Sequence, residues 1–310
     1  MMLLALVLLS SSPVFAESMP DPASSQEEYT FKVQVQTVYV DVFVTRDGKP
    51  VAGLTKDSFE VTDNGVRQRV DLLDAEAVPM SALLALDVSA SVRGEQLRHL
   101  RAAAHAFVDG LSENDEVGLL TFTQKLELRK SLDADLSHID RALNQVASGG
   151  STAFHDALFA GLKLLEAANG RPLLLLFTDG MDNASQLQES DLLDIVRASE
   201  AIVYAVGVRS REGVYLRGRR PTNSWSQRAG RFLERLTEST GGQVWFADSS
   251  ADLKEAYLDI LAEMETRYLL SYQPEGAQEQ GWHEIKVKLK GRKAGAVRAR
   301  SGYLFTPPIE

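Results

Sequence analysis

Ser81-Ala82-Leu83-Leu84-Ala85-Leu86-Asp87-Val88-Ser89-Ala90-Ser91 is the stretch whose reading decides the fold. Its apolar run is short and uninterrupted, and Gly94 and a helical pattern follow it. That predicts a buried strand of a parallel sheet handing over to a helix. The strand ends in Asp-x-Ser-x-Ser, so one carboxylate and two hydroxyls lie at its carboxyl end, where open α/β sheets hold ligands. Oxygen side chains this closely spaced, with no soft ligand beside them, suit a hard cation such as Mg²⁺.

Two later stretches add to the pattern. Ser148-Gly149-Gly150-Ser151-Thr152 places a hydroxyl after a Gly-Gly turn and ahead of a helix beginning near His155 and Asp156. Leu173-Leu174-Leu175-Leu176-Phe177-Thr178-Asp179-Gly180 is a second apolar strand closing on a carboxylate and a glycine. All three pieces sit at strand exits or helix entrances, so one sheet would converge them. Taken singly, Asp87, Ser89 and Ser91 read as turn or helix-cap residues. Caps have no reason to recur at three such junctions, which favours the metal reading for the set.

The set resembles the metal-ion-dependent adhesion site of von Willebrand factor A domains, over roughly residues 80 to 265. The matching positions are Asp87, Ser89, Ser91, Thr152 and Asp179, and no element of the pattern is missing. The resemblance implies that Ser89, Ser91 and Thr152 coordinate Mg²⁺ directly, with Mn²⁺ or Ca²⁺ as alternatives. It implies that Asp87 and Asp179 act largely through waters, and that an Asp or Glu of a partner protein takes an open position. The metal is then a bridge between two proteins rather than a reagent.

Upstream, residues 29–79 follow a period of two: Val38, Val40, Val42 and Val44 alternate with Tyr39, Asp41 and Phe43. Turn signals at Asp47-Gly48 and Asp63-Asn64-Gly65 separate short strands around 58–62 and 67–73. Residues 80–266 alternate strands and helices, predicting an α/β unit with a mostly parallel sheet. The strand at 126–130 follows its neighbour too closely for a helical crossover and is expected to pair antiparallel. This matches the doubly wound, Rossmann-like fold of the family it resembles. From Arg267 the period of two returns, with Ile285, Val287 and Leu289 alternating with lysines. Each β segment is too small to fold alone. The expectation is that 29–79 and 267–310 pair into one all-β, sandwich-like domain with the α/β unit inserted between them.

Residues 1–16 read as a signal peptide, with Leu3–Leu9 as its apolar core and Val14-Phe15-Ala16 as a small-x-small cleavage site. Residues 17–28 read as a flexible, Ser-, Pro- and acid-rich linker. The expectation is an exported protein, periplasmic or extracellular, with no transmembrane span in its mature part. A net charge of −10 argues against a nucleic-acid partner. With no cysteines, disulfides, thiolate metal sites and Cys catalysis are excluded.

Other residues weigh less. His155 reads as a helix-start histidine, Asp182 as a solvated loop acid with support of the metal ligands as the alternative, and Gly149, Gly150 and Gly180 as turn geometry. Asn183-Ala184-Ser185 is a formal glycosylation triplet. Arginines crowd the segment after the strand at 201–208, and a solvated loop is the usual fate of such a run. The alternative is a cationic rim on the metal face, with Arg217, Arg219 and Arg220 as partner-binding residues.

The expected function is a non-enzymatic, Mg²⁺-dependent protein-binding module. The alternatives are an architectural protein with a non-functional metal site, or a Mg²⁺-dependent phosphohydrolase with Asp87 as nucleophile. Haloacid-type hydrolases need a second Asp two residues on, and that position is Ser89.

Overall fold

The computed structural model describes residues 37–73, 78–208, 224–247, 250–276, 279–291 and 295–306. The chain opens with strands β1 (Val38–Arg46), β2 (Lys49–Pro50), β3 (Phe59–Asp63), β4 (Val66–Gln68) and β5 (Asp71–Leu73). It continues with β6 (Met80–Asp87), α1 (Glu95–Val108), β7 (Glu116–Phe122), β8 (Leu126–Asp133), α2 (Ile139–Asn144) and α3 (Phe154–Leu165). Next come β9 (Arg171–Thr178), α4 (Glu189–Ala198), β10 (Ile202–Val208), α5 (Ser224–Ser239), β11 (Val244–Ala247) and α6 (Ser250–Thr266). It closes with β12 (Tyr268–Tyr272), β13 (Gly281–Leu289), β14 (Ala296–Arg298) and β15 (Gly302–Phe305).

The central sheet has the strand order β11-β10-β9-β6-β7-β8. Every neighbouring pair is parallel except β7 with β8, which is antiparallel as the short connection requires. Strands β6 and β9 are buried along almost their whole length, and their side chains alternate between two cores. Ala82, Leu84 and Leu86 face α1, α2 and α6, packing with Leu100, Phe107, Leu143 and Tyr257. Leu83 and Ala85 face α3, α4 and α5, packing with Phe154, Leu158, Leu192 and Phe232. A strand covered on both sides has no polar face to show, which is why these two read as unbroken apolar runs.

The remaining strands form two antiparallel sheets, β14-β1-β12-β5 and β15-β13-β3-β4, with β2 added to β1. Val38, Val40, Val42 and Val44 from one sheet meet Phe59, Val61, Ile285 and Tyr303 from the other in a third core. The hairpin turns Asp47-Gly48 and Asn64-Gly65 have positive φ at both residues (53° and 75°, 47° and 84°). Two-residue type I′ turns require that conformation.

Two expectations change. The single strand read over 67–73 is two strands in different sheets: β4 pairs with β3, and β5 with β12. The chain crosses between the layers at Arg69–Val70, and a period of two does not specify the partner strand. The spacing of Leu136, Ile139, Leu143 and Val146 predicts one helix, but the segment forms a 3₁₀ turn (Leu136–His138) followed by α2, and Val146 lies beyond it, buried in the core.

A buried ionic network ties the α/β sheet to the β1 strand. Arg171 donates to both Asp41 oxygens at 2.8 and 3.0 Å, and Arg267 adds a third bond at 3.0 Å. Arg267, fully buried, also donates to Glu263 at 2.8 Å and to the Gly241 carbonyl at 3.1 Å. Glu263 further accepts from the Tyr204 hydroxyl and from Arg298. Burial pushes the Asp41 carboxyl up, but Arg171 and Arg267 together hold it below its ordinary range. No helix among the described residues is long and apolar enough to cross a membrane.

Candidate functional site

The order β11-β10-β9-β6-β7-β8 makes the gap between β6 and β9 the point where chain direction across the sheet reverses. Loops leaving two such strands diverge to opposite sides and leave a crevice at their carboxyl ends. Asp87 is the last residue of β6, and Asp179 directly follows Thr178, the last of β9.

Backbone hydrogen bonds interlock three loops here. Ala90 N–H donates to the Gly150 carbonyl at 3.0 Å, and Gly149 N–H to the Val88 carbonyl at 2.8 Å. The Ser89–Ser91 loop is thereby fastened to the Gly-Gly turn preceding Thr152. Thr152 N–H donates to Asn183 Oδ1 at 2.8 Å, and its carbonyl accepts from Asn183 N–H and Ala184 N–H at 3.0 and 3.1 Å. That reciprocal pairing fastens Thr152 to the loop that begins at Asp179. Gly150 (φ +85°) lies so close to Gln124 that a Cβ there would stand 1.9 Å from Gln124 Oε1, the atom that accepts from Ser151 N–H. A Cβ would push Gln124 off Ser151 N–H, and the positive φ favours glycine there.

The structure therefore brings Asp87, Ser89, Ser91, Thr152 and Asp179 into one cluster of loops. Asp87, Ser89, Thr152 and Asp179 are buried, and Ser91 is exposed at the rim. The Ser89 and Ser91 hydroxyls are 3.1 Å apart. Asp87 accepts from Ser89 N–H at 2.9 Å and from the Thr178 hydroxyl at 3.1 Å. Burial, and then the neighbouring Asp179 charge, push the Asp87 carboxyl up to about 7. No Lys, Arg or His pairs with Asp87 among the described residues. Asp179 Oδ1 accepts from Met181 N–H at 2.9 Å, which bends the backbone around its own carboxylate.

This donor set fits a hard divalent cation. Two neighbouring buried carboxylates repel unless a positive charge lies near them, and the hydroxyls supply neutral oxygen ligands. Among the described residues no three His, Cys, Asp or Glu side chains group as a metal cage. Any cation here would rely on Ser89, Ser91 and Thr152 for its remaining ligands.

Asp182 is not a solvated loop acid. Its carboxylate accepts from Phe154 N–H at 2.8 Å, His155 N–H at 3.3 Å and the Ser185 hydroxyl. The α3 N-cap residue, Ala153, makes no side-chain cap, so Asp182 caps α3 from a separate loop. Asp156 reciprocates by accepting from Gln186 N–H and Leu187 N–H. His155 behaves as a helix-start histidine, its Nδ1 3.0 Å from the Leu187 carbonyl. Sequence reasoning missed Thr178 and Asn183 as supports of Asp87 and Thr152; the only signal was their adjacency to the motif at 179–180. Arg217, Arg219 and Arg220 lie outside the described residues.

A family model for the von Willebrand factor type A domain matches residues 82–181. The chain is 23% identical over 253 residues to inter-alpha-trypsin inhibitor heavy chain H4 of Homo sapiens, covering 75% of this chain and 26% of that protein. The Sus scrofa protein of the same name is 26% identical over 132 residues, covering 39% of this chain and 14% of that protein. The chain thus spans about a quarter or less of the length of these relatives. Among solved structures, a von Willebrand factor type A protein from Catenulispora acidiphila superposes with a TM-score of 0.51 at 11% identity. That superposition covers 88% of this chain and 74% of the other, and it establishes likeness of fold.

Proposed function

We propose, for a chain that contains a von Willebrand factor type A domain, that it is an exported protein-binding module whose binding depends on a divalent cation. The observation that carries this reading is the burial of Asp87 beside Asp179 among loops that also present Ser89, Ser91 and Thr152. Burying two acids together is costly unless a proton or a cation offsets their charge, and above pH 7 only a cation does so. Ser89, Ser91 and Thr152 offer hydroxyl oxygens, and Asp87 and Asp179 offer the negative charge. With only two formal charges from the protein, a bound Mg²⁺ remains Lewis-acidic enough to accept a carboxylate from an Asp or Glu of a protein partner. Export rests on the apolar run Leu3–Leu9 and the Val14-Phe15-Ala16 site.

Calorimetric titration of Mg²⁺ and Mn²⁺ into EDTA-stripped protein tests the reading, with Asp87→Ala and Thr152→Ala alongside. Saturable binding to the wild type, lost in both folded variants, is the expected result. It is accompanied by thermal stabilisation of about 2.7 kcal/mol at a hundredfold excess over Kd. Absence of binding to the wild type at millimolar metal, or equal affinity in either variant, would remove the metal from the function.

A further inference from the structure

On the side of the molecule away from the loops just described, a cavity of about 320 Å³ opens where the strands of the third core meet the amino ends of β9 and β10. Its walls include Leu73, Pro172, Ile202 and Leu269, with Tyr39, 47% exposed, among the lining residues. Three arginines lie in or near it, and two are fully engaged. Arg171 and Arg267 each bond to Asp41 and to a backbone carbonyl.

Arg300 differs. It is only 7% exposed and lines the cavity, yet its guanidinium makes no hydrogen bond among the described residues. Its Nε is buried without a partner. Among the described residues its ion-pair partner is Glu200, at 3.9 Å on a side chain 65% exposed, which is beyond hydrogen-bond distance. The Tyr303 ring, 5.6 Å away, adds a cation–π contact but takes no N–H. Burial pushes the Arg300 pKa down, as expected where a cation is desolvated without full compensation. The Thr240 hydroxyl in the same wall is spent, donating to the Thr237 carbonyl and accepting from Val203 N–H.

A buried guanidinium with unspent donors, beside apolar walls and a water-accessible mouth, is the arrangement by which proteins hold an organic anion. We propose that this cavity is a second ligand site, for a small organic monocarboxylate paired with Arg300 through its carboxylate and packed against Leu73, Pro172, Ile202 and Leu269 through its apolar body. Asp41 and Glu200 in the same cavity disfavour a doubly charged phosphate ester. The site is independent of the cation reading for Asp87 and stands without it.

Saturation-transfer NMR on the full chain in EDTA tests this, with benzoate and hexanoate as probes, benzamide and hexanamide as their neutral counterparts, and phenyl phosphate as the dianion. The acids are expected to bind, with the amides at least about tenfold weaker. Arg300→Gln is expected to lower acid affinity by a similar factor while its unfolding midpoint shows that it folds; Asp87→Ala is expected to leave it unchanged. Equal binding of acid and amide, no acid binding at millimolar concentration, tighter binding of phenyl phosphate, or full acid affinity in folded Arg300→Gln would each overturn the proposal. Should Arg300→Gln fail to fold, Tyr39→Trp decides. Its fluorescence is expected to change with benzoate and not with benzamide, and an unchanged signal with both overturns the assignment.

Discussion

Replacing Asp87 with Asn in the metal-free protein is expected to make it more stable, not less. Asp87 is fully buried, and burial together with Asp179 raises its carboxyl from 3.8 to about 7. Between those two values the folded chain retains a proton that the unfolded chain has released. Stability therefore falls as pH rises through this window, and the whole cost is present above pH 7. At about 1.4 kcal/mol for each tenfold in proton affinity, the buried charge costs about 4 kcal/mol at pH 8. Asn carries no charge and keeps one oxygen to accept from Ser89 N–H or from Thr178, but not both as well as a carboxylate does. Losing part of that pairing subtracts about 1–2 kcal/mol. In EDTA at pH 8, Asp87→Asn should therefore exceed the wild type by about 2 kcal/mol, and this advantage should shrink by about 2 kcal/mol at pH 5.5. Urea unfolding followed by circular dichroism at both pH values measures it, and taking the difference between the two proteins cancels every other titrating group. Saturating Mg²⁺ should reverse the order, because only the wild type offers both carboxylates. An Asn variant less stable than the wild type in EDTA at pH 8, or a difference independent of pH, would refute the reasoning.

Arg267→Met removes the cation shared by Asp41 and Glu263, both buried. Arg171 and Arg298 still contact those acids, so the expected loss is about 3 kcal/mol, read as a lower urea midpoint. A midpoint unchanged from wild type would show that the network is not used. Asn183→Ala strips the acceptor from Thr152 N–H. It should cost about 1–2 kcal/mol in stability and also weaken Mg²⁺ binding in calorimetry, whereas a purely local support would leave metal affinity intact. Asp63→Ala leaves Tyr272, Tyr303 and His283 without the carboxylate they share at 2.9, 2.8 and 2.7 Å. The loss should reach about 3 kcal/mol in thermal unfolding, with metal binding unaffected.

What was legible in the sequence follows from how local each feature is. That Asp87, Ser89 and Asp179 lie together could be read because β6 and β9 end beside them and announce themselves as the apolar runs 82–86 and 173–177, whereas Thr152 is placed by the turn that leads into α3. The antiparallel position of β8 could be inferred from the short link between Phe122 and Leu126. Asp182 reads as a solvated acid because its partners, Phe154 N–H and His155 N–H, lie on another segment, and an acid two residues past a glycine looks the same whether it is solvated or capping a distant helix. Asp63 looked like a turn residue beside Asn64-Gly65. Its burial depends on His283 and Tyr303, which reach it from β13 and β15. Nor could the division of residues 66–73 between two sheets be read, since alternation names the buried face but not the neighbouring strand.

The register of β1 bears on the order in which the molecule can assemble. Val38 pairs with Tyr272 and Val44 with Val297, so β1 waits for partners that lie roughly 230–250 residues further along the chain. The α/β segment, from Met80 to Thr266, supplies every strand of its own sheet. During synthesis and refolding, β1 has only β2 beside Thr45 and Arg46, and its valines persist as an apolar edge. Closing so long a loop is slow, so the last event of folding should be the docking of β12 and β14 onto β1. A chain halted before Tyr268 would present β1 without β12 and β14, an apolar strand prone to pairing with another copy of itself.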